Sequence, residues 1–183
     1  MGKDNILRRI RSIDLGSTEL PVSPRQETIS GNLRDSFVSA LEANHVQVQI
    51  SGSASETQTH LNEALSKVRS YASGIPEVES SADSFNELEL YVTRSQLGVA
   101  ENGAMWISSE TQHRVLPFIA EHLIVVIREE ELVGDMHEAY RSITDPGGFG
   151  VFIAGPSKTA DIEQSLVIGA HGAKEMTVIL ETN

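Results

Sequence analysis

Between Gly147 and Leu180 the chain reads GGFGVFIAGPSKTADIEQSLVIGAHGAKEMTVIL. Val151–Ala154 is an apolar run of strand length, halted by Gly155-Pro156. Ser157 and Thr159 are N-cap side chains, and Asp161 and Glu163 follow where a helix dipole favours acids. Ile162, Leu166, Val167 and Gly169 recur at helical spacing. His171-Gly172 closes that helix, and Met176–Leu180 is a second buried strand. The pattern predicts a βαβ unit, and it carries six of the chain's fourteen glycines. Those glycines let backbone approach a ligand closely.

A helix N-terminus between glycine turns offers unpaired N–H groups and partial positive charge, a setting for phosphate or carboxylate. Ser157, Lys158 and Thr159 add hydroxyl and ammonium donors, although capping alone also accounts for the two hydroxyls. Neither common nucleotide-binding pattern is met. Gly150 and Gly155 have P-loop spacing, but Pro156 occupies the place of the lysine. Gly148-Phe149-Gly150 begins a dinucleotide fingerprint, but Ile153 stands where the third glycine belongs, and these glycines precede the strand.

Outward from this unit, strands alternate with helices. Helices are predicted around Leu33–Leu41, Leu61–Ala72 (opened by a Ser55/Gln58 capping box) and Met136–Ile143. Asn44 suits the C′ position of the first. Strands are predicted at Val46–Ile50, Leu88–Thr93, Ala104–Ile107 and Leu123–Ile127. The last is continuously apolar, as a central parallel strand buried on both faces should be. Glu129, Glu130 and Glu131 read as a solvated turn. The alternation predicts an α/β fold with a mostly parallel sheet flanked by helices, in which Val151–Ala154 and Leu123–Ile127 are central. Residues 1–28 read as a separate N-terminal unit: a short basic amphipathic helix with Ile6, Leu7, Ile10 and Ile13, then a proline-containing linker. The domain proper is then 29–183.

At 183 residues the chain suits one such domain with a substantial core. A formal charge of −12 argues against general nucleic-acid or anionic-membrane binding. No apolar run approaches the ~20 residues of a membrane span, and no signal peptide is evident, so a cytoplasmic location is expected. With no cysteine in the sequence, disulfides and cysteine-ligated clusters in this chain are excluded. The six histidines form neither HxH nor HExxH spacing, so no metal site is expected.

Gly155-Pro156-Ser157-Lys158-Thr159-Ala160-Asp161-Ile162-Glu163, followed by Leu166-Val167-Ile168-Gly169-Ala170-His171-Gly172, resembles the C-terminal signature of the LUD domain, the family of lactate-utilisation protein C. Ala173 replaces the proline usual after the His-Gly pair. The resemblance implies a fold similar to ribose-phosphate isomerase, glucosamine-phosphate deaminase and the CoA transferases. It also implies a role in oxidising L-lactate to pyruvate. The chain would serve as a non-redox subunit that binds a small organic acid or phosphate-bearing ligand. It would hold no cofactor of its own and would act beside iron–sulfur partner proteins, with homo-oligomerisation left open.

A second constellation is Val99-Ala100-Glu101-Asn102-Gly103-Ala104. The family usually shows Glu-Thr-Gly-Thr here, so Asn102 and Ala104 each cost a hydroxyl. Glu101-Asn102-Gly103 also looks like the glutamate motif of class I CoA transferases, which leaves an acyl-transfer enzyme with Glu101 as nucleophile as an alternative, besides a non-catalytic binding module. An ordinary Asn-Gly turn with a solvated Glu101 explains the same string. Arg114 suits a substrate carboxylate, His113 suits proton transfer, and His171 is the histidine inside the signature. Candidate catalytic residues are therefore Glu101 and His171. Candidate ligand-binding residues are Gly103, Arg114, Gly155, Ser157, Lys158, Thr159, Asp161 and Gly172. If both glycine turns follow strands of one parallel sheet, they open together at its carboxyl end and form one pocket.

Overall fold

The computed structural model describes residues 2–13, 31–76, 78–81, 87–108, 114–143, 148–159, 167–169 and 171–182. Its elements are, in chain order, α1 (Lys3–Arg11), α2 (Leu33–Ala43), β1 (Gln47–Ser51), α3 (Ala54–Leu65), β2 (Tyr71–Ser73), β3 (Leu90–Arg94), β4 (Leu97–Val99) and β5 (Met105–Ser108). They continue with α4 (Leu116–Ile119), β6 (His122–Arg128), β7 (Leu132–Val133), α5 (Met136–Ser142), β8 (Gly150–Ile153), β9 (Lys158–Thr159), β10 (Val167–Ile168) and β11 (Glu175–Glu181).

The run Leu123–Ile127 forms the middle of a five-stranded sheet of order β1-β11-β6-β3-β2, in which every neighbour is parallel. All five of its residues are buried, because strand alternation sends them into two different cores. Leu123, Val125 and Ile127 pack with Val178 and Leu180 of β11 against Phe37 and Leu41 of α2. Ile124 and Val126 pack with Ile179, Leu90 and Val92 against Leu61 of α3. The fold is thus α/β, a parallel sheet with helices on both faces.

A second sheet, β7-β4-β5-β8, covers the α2 side. Here Val151–Ala154 departs from expectation. It forms β8, the half-buried outer strand of this second sheet, antiparallel to β5, and not a central strand of the parallel one. Its neighbours decide this. Gly150 leaves no side chain between its backbone and the indole of Trp106, and Phe152 packs on the same ring at 4.9 Å between centroids. The run adheres to an aromatic surface where a strand with a side chain at 150 would be held off.

The helix expected after Gly155 is also absent where it should begin. Lys158–Thr159 and Val167–Ile168 are two short antiparallel strands, so Ser157 heads no helix and Val167 is not on one. Thr159, Val167 and Ile168 are β-branched, which favours this outcome. Asp161, Ile162, Glu163 and Leu166 lie outside the described residues. The helix start shifts by two residues: the N-cap is Ser53, accepting from Glu56 N at 3.3 Å, and not Ser55, while Glu56 reaches back to Gly52 N at 2.8 Å, one residue before the cap.

Helix α1 forms as expected and buries none of its residues; Ile6 and Ile10 are 50% and 60% exposed. The linker predicted to follow it, and the boundary near residue 28, lie outside the described residues. Among the described residues no helix is long and apolar enough to cross a membrane.

Candidate functional site

The geometry of the two glycine turns is set by the end of α2. Its last turn closes at Asn44 with φ −84° and ψ 5°. The left-handed position is taken by His45 at φ 64°, one residue later than the sequence suggested. Asn44 Nδ2 donates to the carbonyl of Asn102 at 2.9 Å. Asn102 in turn folds its own turn by accepting Ala104 N on Oδ1 at 2.9 Å. Gly103, at φ 72°, lies flat on α2, and a Cβ there would sit 3.2 Å from Leu41 N. On the other side of Asn44 is Gly155, at φ 146°, where a Cβ would come 3.0 Å from Asn44 O. Both turns therefore meet at Asn44, as a shared pocket requires.

They meet, however, at the amino end of the parallel sheet. Gly155 also lies against Val46, immediately before β1, and Ser157 N donates to Ala173 O at 2.9 Å, two residues before β11. The expectation of the carboxyl end fails because β4, β5 and β8 belong to the second sheet, to which the parallel-sheet rule does not apply. The carboxyl end is instead lined by ion pairs, Arg94–Glu181 at 2.9 Å and Arg128–Glu131 at 2.7 Å.

Three of the signature residues, Ser157, Gly169 and Gly172, come together. Gly169 N donates to Ser157 O at 2.9 Å, and a Cβ on Gly172 would lie 3.1 Å from that of Ser157. Ser157 is half-buried, while Lys158 and His171 are exposed beside it. A hydroxyl, an ammonium and an imidazole on one loop pair are donors suited to a carboxylate. Thr159 belongs to this loop by its backbone in β9. His113 and Asp161 lie outside the described residues.

Two candidates are not brought into the junction. Arg114 stacks over the ring of Phe149 at 5.6 Å, beyond the far end of β8 from Gly155. Glu101 is tied to Gly134, its N–H donating to Gly134 O at 3.1 Å. Its Oε2 accepts from Met136 N at 3.4 Å, in the first turn of α5. That carboxylate faces a helix start and not the Ser157 loop.

The sequence reading missed His122. Its Nε2 shares a hydrogen bond with Thr177 Oγ1 at 2.9 Å, and burial pushes the imidazole below its usual range, opposed by the nearby Glu175 carboxylate. Its only sequence signal is a polar residue opening an apolar run. Among the described residues no group of three or more His, Cys, Asp or Glu side chains is placed to hold a metal ion.

The model of the LUD domain matches residues 69–180, more than half of the chain. The chain belongs to the LUD domain family. The matched segment holds both glycine turns and all of β2 to β10, but not Asn44, which joins them. Curated relatives carry the name lactate utilization protein C. That of Shouchella clausii is 38% identical over 88 residues, covering 44% of this chain and 38% of the relative. That of Oceanobacillus iheyensis is 30% identical over 97 residues, or 49% and 42%. That of Anoxybacillus flavithermus is 26% identical over 162 residues, or 86% and 73%. The chain thus spans about two fifths of the length of the first two. A DUF162 family protein from Deinococcus radiodurans has the same fold, with a TM-score of 0.62 at 17% identity over 81% of this chain and 95% of that one.

Proposed function

We propose that this LUD-domain chain is a component of lactate utilisation, binding a small organic acid and acting with iron–sulfur partner proteins. The relation to proteins named lactate utilization protein C supports the pathway. The observation that carries the binding role is the meeting of the two glycine turns at Asn44 beside Ser157, Lys158 and His171. Net donor character there suits a carboxylate such as L-lactate. The sequence has no cysteine, so any cysteine-ligated cluster used in the same oxidation belongs to partners.

A strain lacking the chain should grow on glucose and fail on L-lactate, and re-expression should restore growth. Affinity purification of the full chain from lactate-grown cells should recover cysteine-rich iron–sulfur proteins. Normal growth on L-lactate without the chain overturns the pathway. Growth failure with no saturable L-lactate binding by the purified chain overturns the binding role alone.

A further inference from the structure

On the opposite face of the parallel sheet lies a cleft of about 460 Å³, within the ordinary range for small-molecule sites. Its walls are the second half of α3 and the amino ends of β1, β11 and β6. Ala64, Val68 and Ile124 supply apolar surface. His60 and His122 both line it. His60 Nε2 is shut off from solvent without a hydrogen-bond partner among the described residues, the condition a bound polar group would relieve.

The charge of the lining is one-sided. Four carboxylates, of Glu63, Glu89, Glu121 and Glu175, face two ammonium groups. Lys67 is held by Glu63 at 3.0 Å and Lys174 by Glu121 at 2.8 Å, so neither cation is spare. Glu89 has Arg69 at 3.4 Å. Glu175 has no ion pair among the described residues. An organic anion entering this cleft meets net negative charge, and a cation meets an unpaired carboxylate.

We infer that this cleft is a second binding site, for a small organic ammonium compound. The cation sits against Glu175, the His60 ring turns so that Nε2 meets a hydroxyl or amide of the ligand, and the carbon chain lies over Ala64 and Ile124. The site is distinct from the glycine-turn junction, where both turns meet Asn44 at the end of α2.

The test uses the full chain with labelled histidines, titrated at constant ionic strength with three probes of similar size: ethanolammonium, ethylene glycol and glycolate. Ethanolammonium should shift the ring signals of His60 and His122 saturably, and glycolate should not. Glu175→Gln, at an exposed position, should weaken ethanolammonium roughly tenfold or more, the loss of one charge-assisted hydrogen bond. His60→Gln should also weaken it while leaving the Glu175 dependence in place. The inference is overturned if no probe shifts these signals saturably, if ethylene glycol or glycolate binds as tightly as ethanolammonium, or if Glu175→Gln binds unchanged.

Discussion

Asn44→Ala isolates the residue on which the proposed organic-acid site turns. The substitution removes the 2.9 Å bond from Asn44 Nδ2 to Asn102 O and leaves the helix carbonyls paired, because the N–H of Asn44 still donates to Ala40 and Leu41. One part-buried hydrogen bond contributes about 1 kcal/mol, and a carbonyl left without full solvation adds about 1 kcal/mol or more. The expected loss is therefore roughly 1–2 kcal/mol, at about 2–4 °C per kcal/mol for a chain of this size. Urea denaturation should show a lower midpoint with an unchanged slope. L-Lactate affinity, measured by calorimetry, should fall as well, because the Asn102–Gly103 and Gly155 turns lose their common anchor. Ile179→Val, fully buried on the far face of the sheet, is the control: it costs a similar ~0.5–1.5 kcal/mol but touches neither turn. Equal lactate affinity in the two variants refutes the junction as a binding site. An unchanged midpoint in Asn44→Ala refutes the hydrogen-bond reasoning itself.

Gly155→Ala should destabilise by about 1–3 kcal/mol, since φ 146° disfavours any side chain and the new Cβ meets Asn44 O at 3.0 Å; a neutral result in urea denaturation counts against that turn's geometry. His122 has a depressed value in the folded chain, so the unfolded chain binds its proton more tightly; the stability it contributes is complete above about pH 6.5 and is lost as the pH falls through the folded value. Wild type should therefore lose more stability than His122→Gln on going from about pH 7.5 to about pH 5, measured by denaturation at each pH, and parallel curves count against it. Removing residues 1–13 should leave the melting temperature nearly unchanged, because α1 buries no residue, and a large drop in calorimetry shows that it packs on something.

What could be read in advance follows from how far apart the deciding residues are. Leu123–Ile127 was legible as central because five consecutive apolar residues have no solvent face, and burial on both sides is their only outcome. Val151–Ala154 has the same local pattern, but its sheet is chosen by Trp106, forty-odd residues earlier and paired with Phe152. A four-residue run contains no record of that choice. Val167 fits a helix on spacing and Thr159 fits its N-cap, while the β-branching of both points to the strands they form. In the site, Gly155, Ser157 and Gly172 were legible together because one short signature carries them. Asn44 was visible only as a helix end, since its partner Asn102 is 58 positions away.

The placement of both candidate sites at one end of the sheet has a common cause in the entry to β11. Ala173 accepts from Ser157 N, and the next two N–H groups, of Lys174 and Glu175, both donate to Glu121 O at 2.7 and 3.1 Å. This pins the start of β11 between the signature loop and the start of β6. From there, strand alternation divides the side chains. Glu175 and Thr177 line the cleft on the α3 face, whereas Met176 and Val178 enter the core on the α2 face, beneath the glycine turns. A parallel strand entering at this point necessarily presents one set of residues to each side, and here the sets differ in charge. Lys158 and His171 are exposed on the signature loop, and Glu175, without an ion pair among the described residues, lines the cleft on the other side. The same five-residue passage therefore separates a site suited to an anion from one suited to a cation. At the carboxyl end, by contrast, Arg94 is engaged by Glu181, and Arg128 by Glu130 and Glu131.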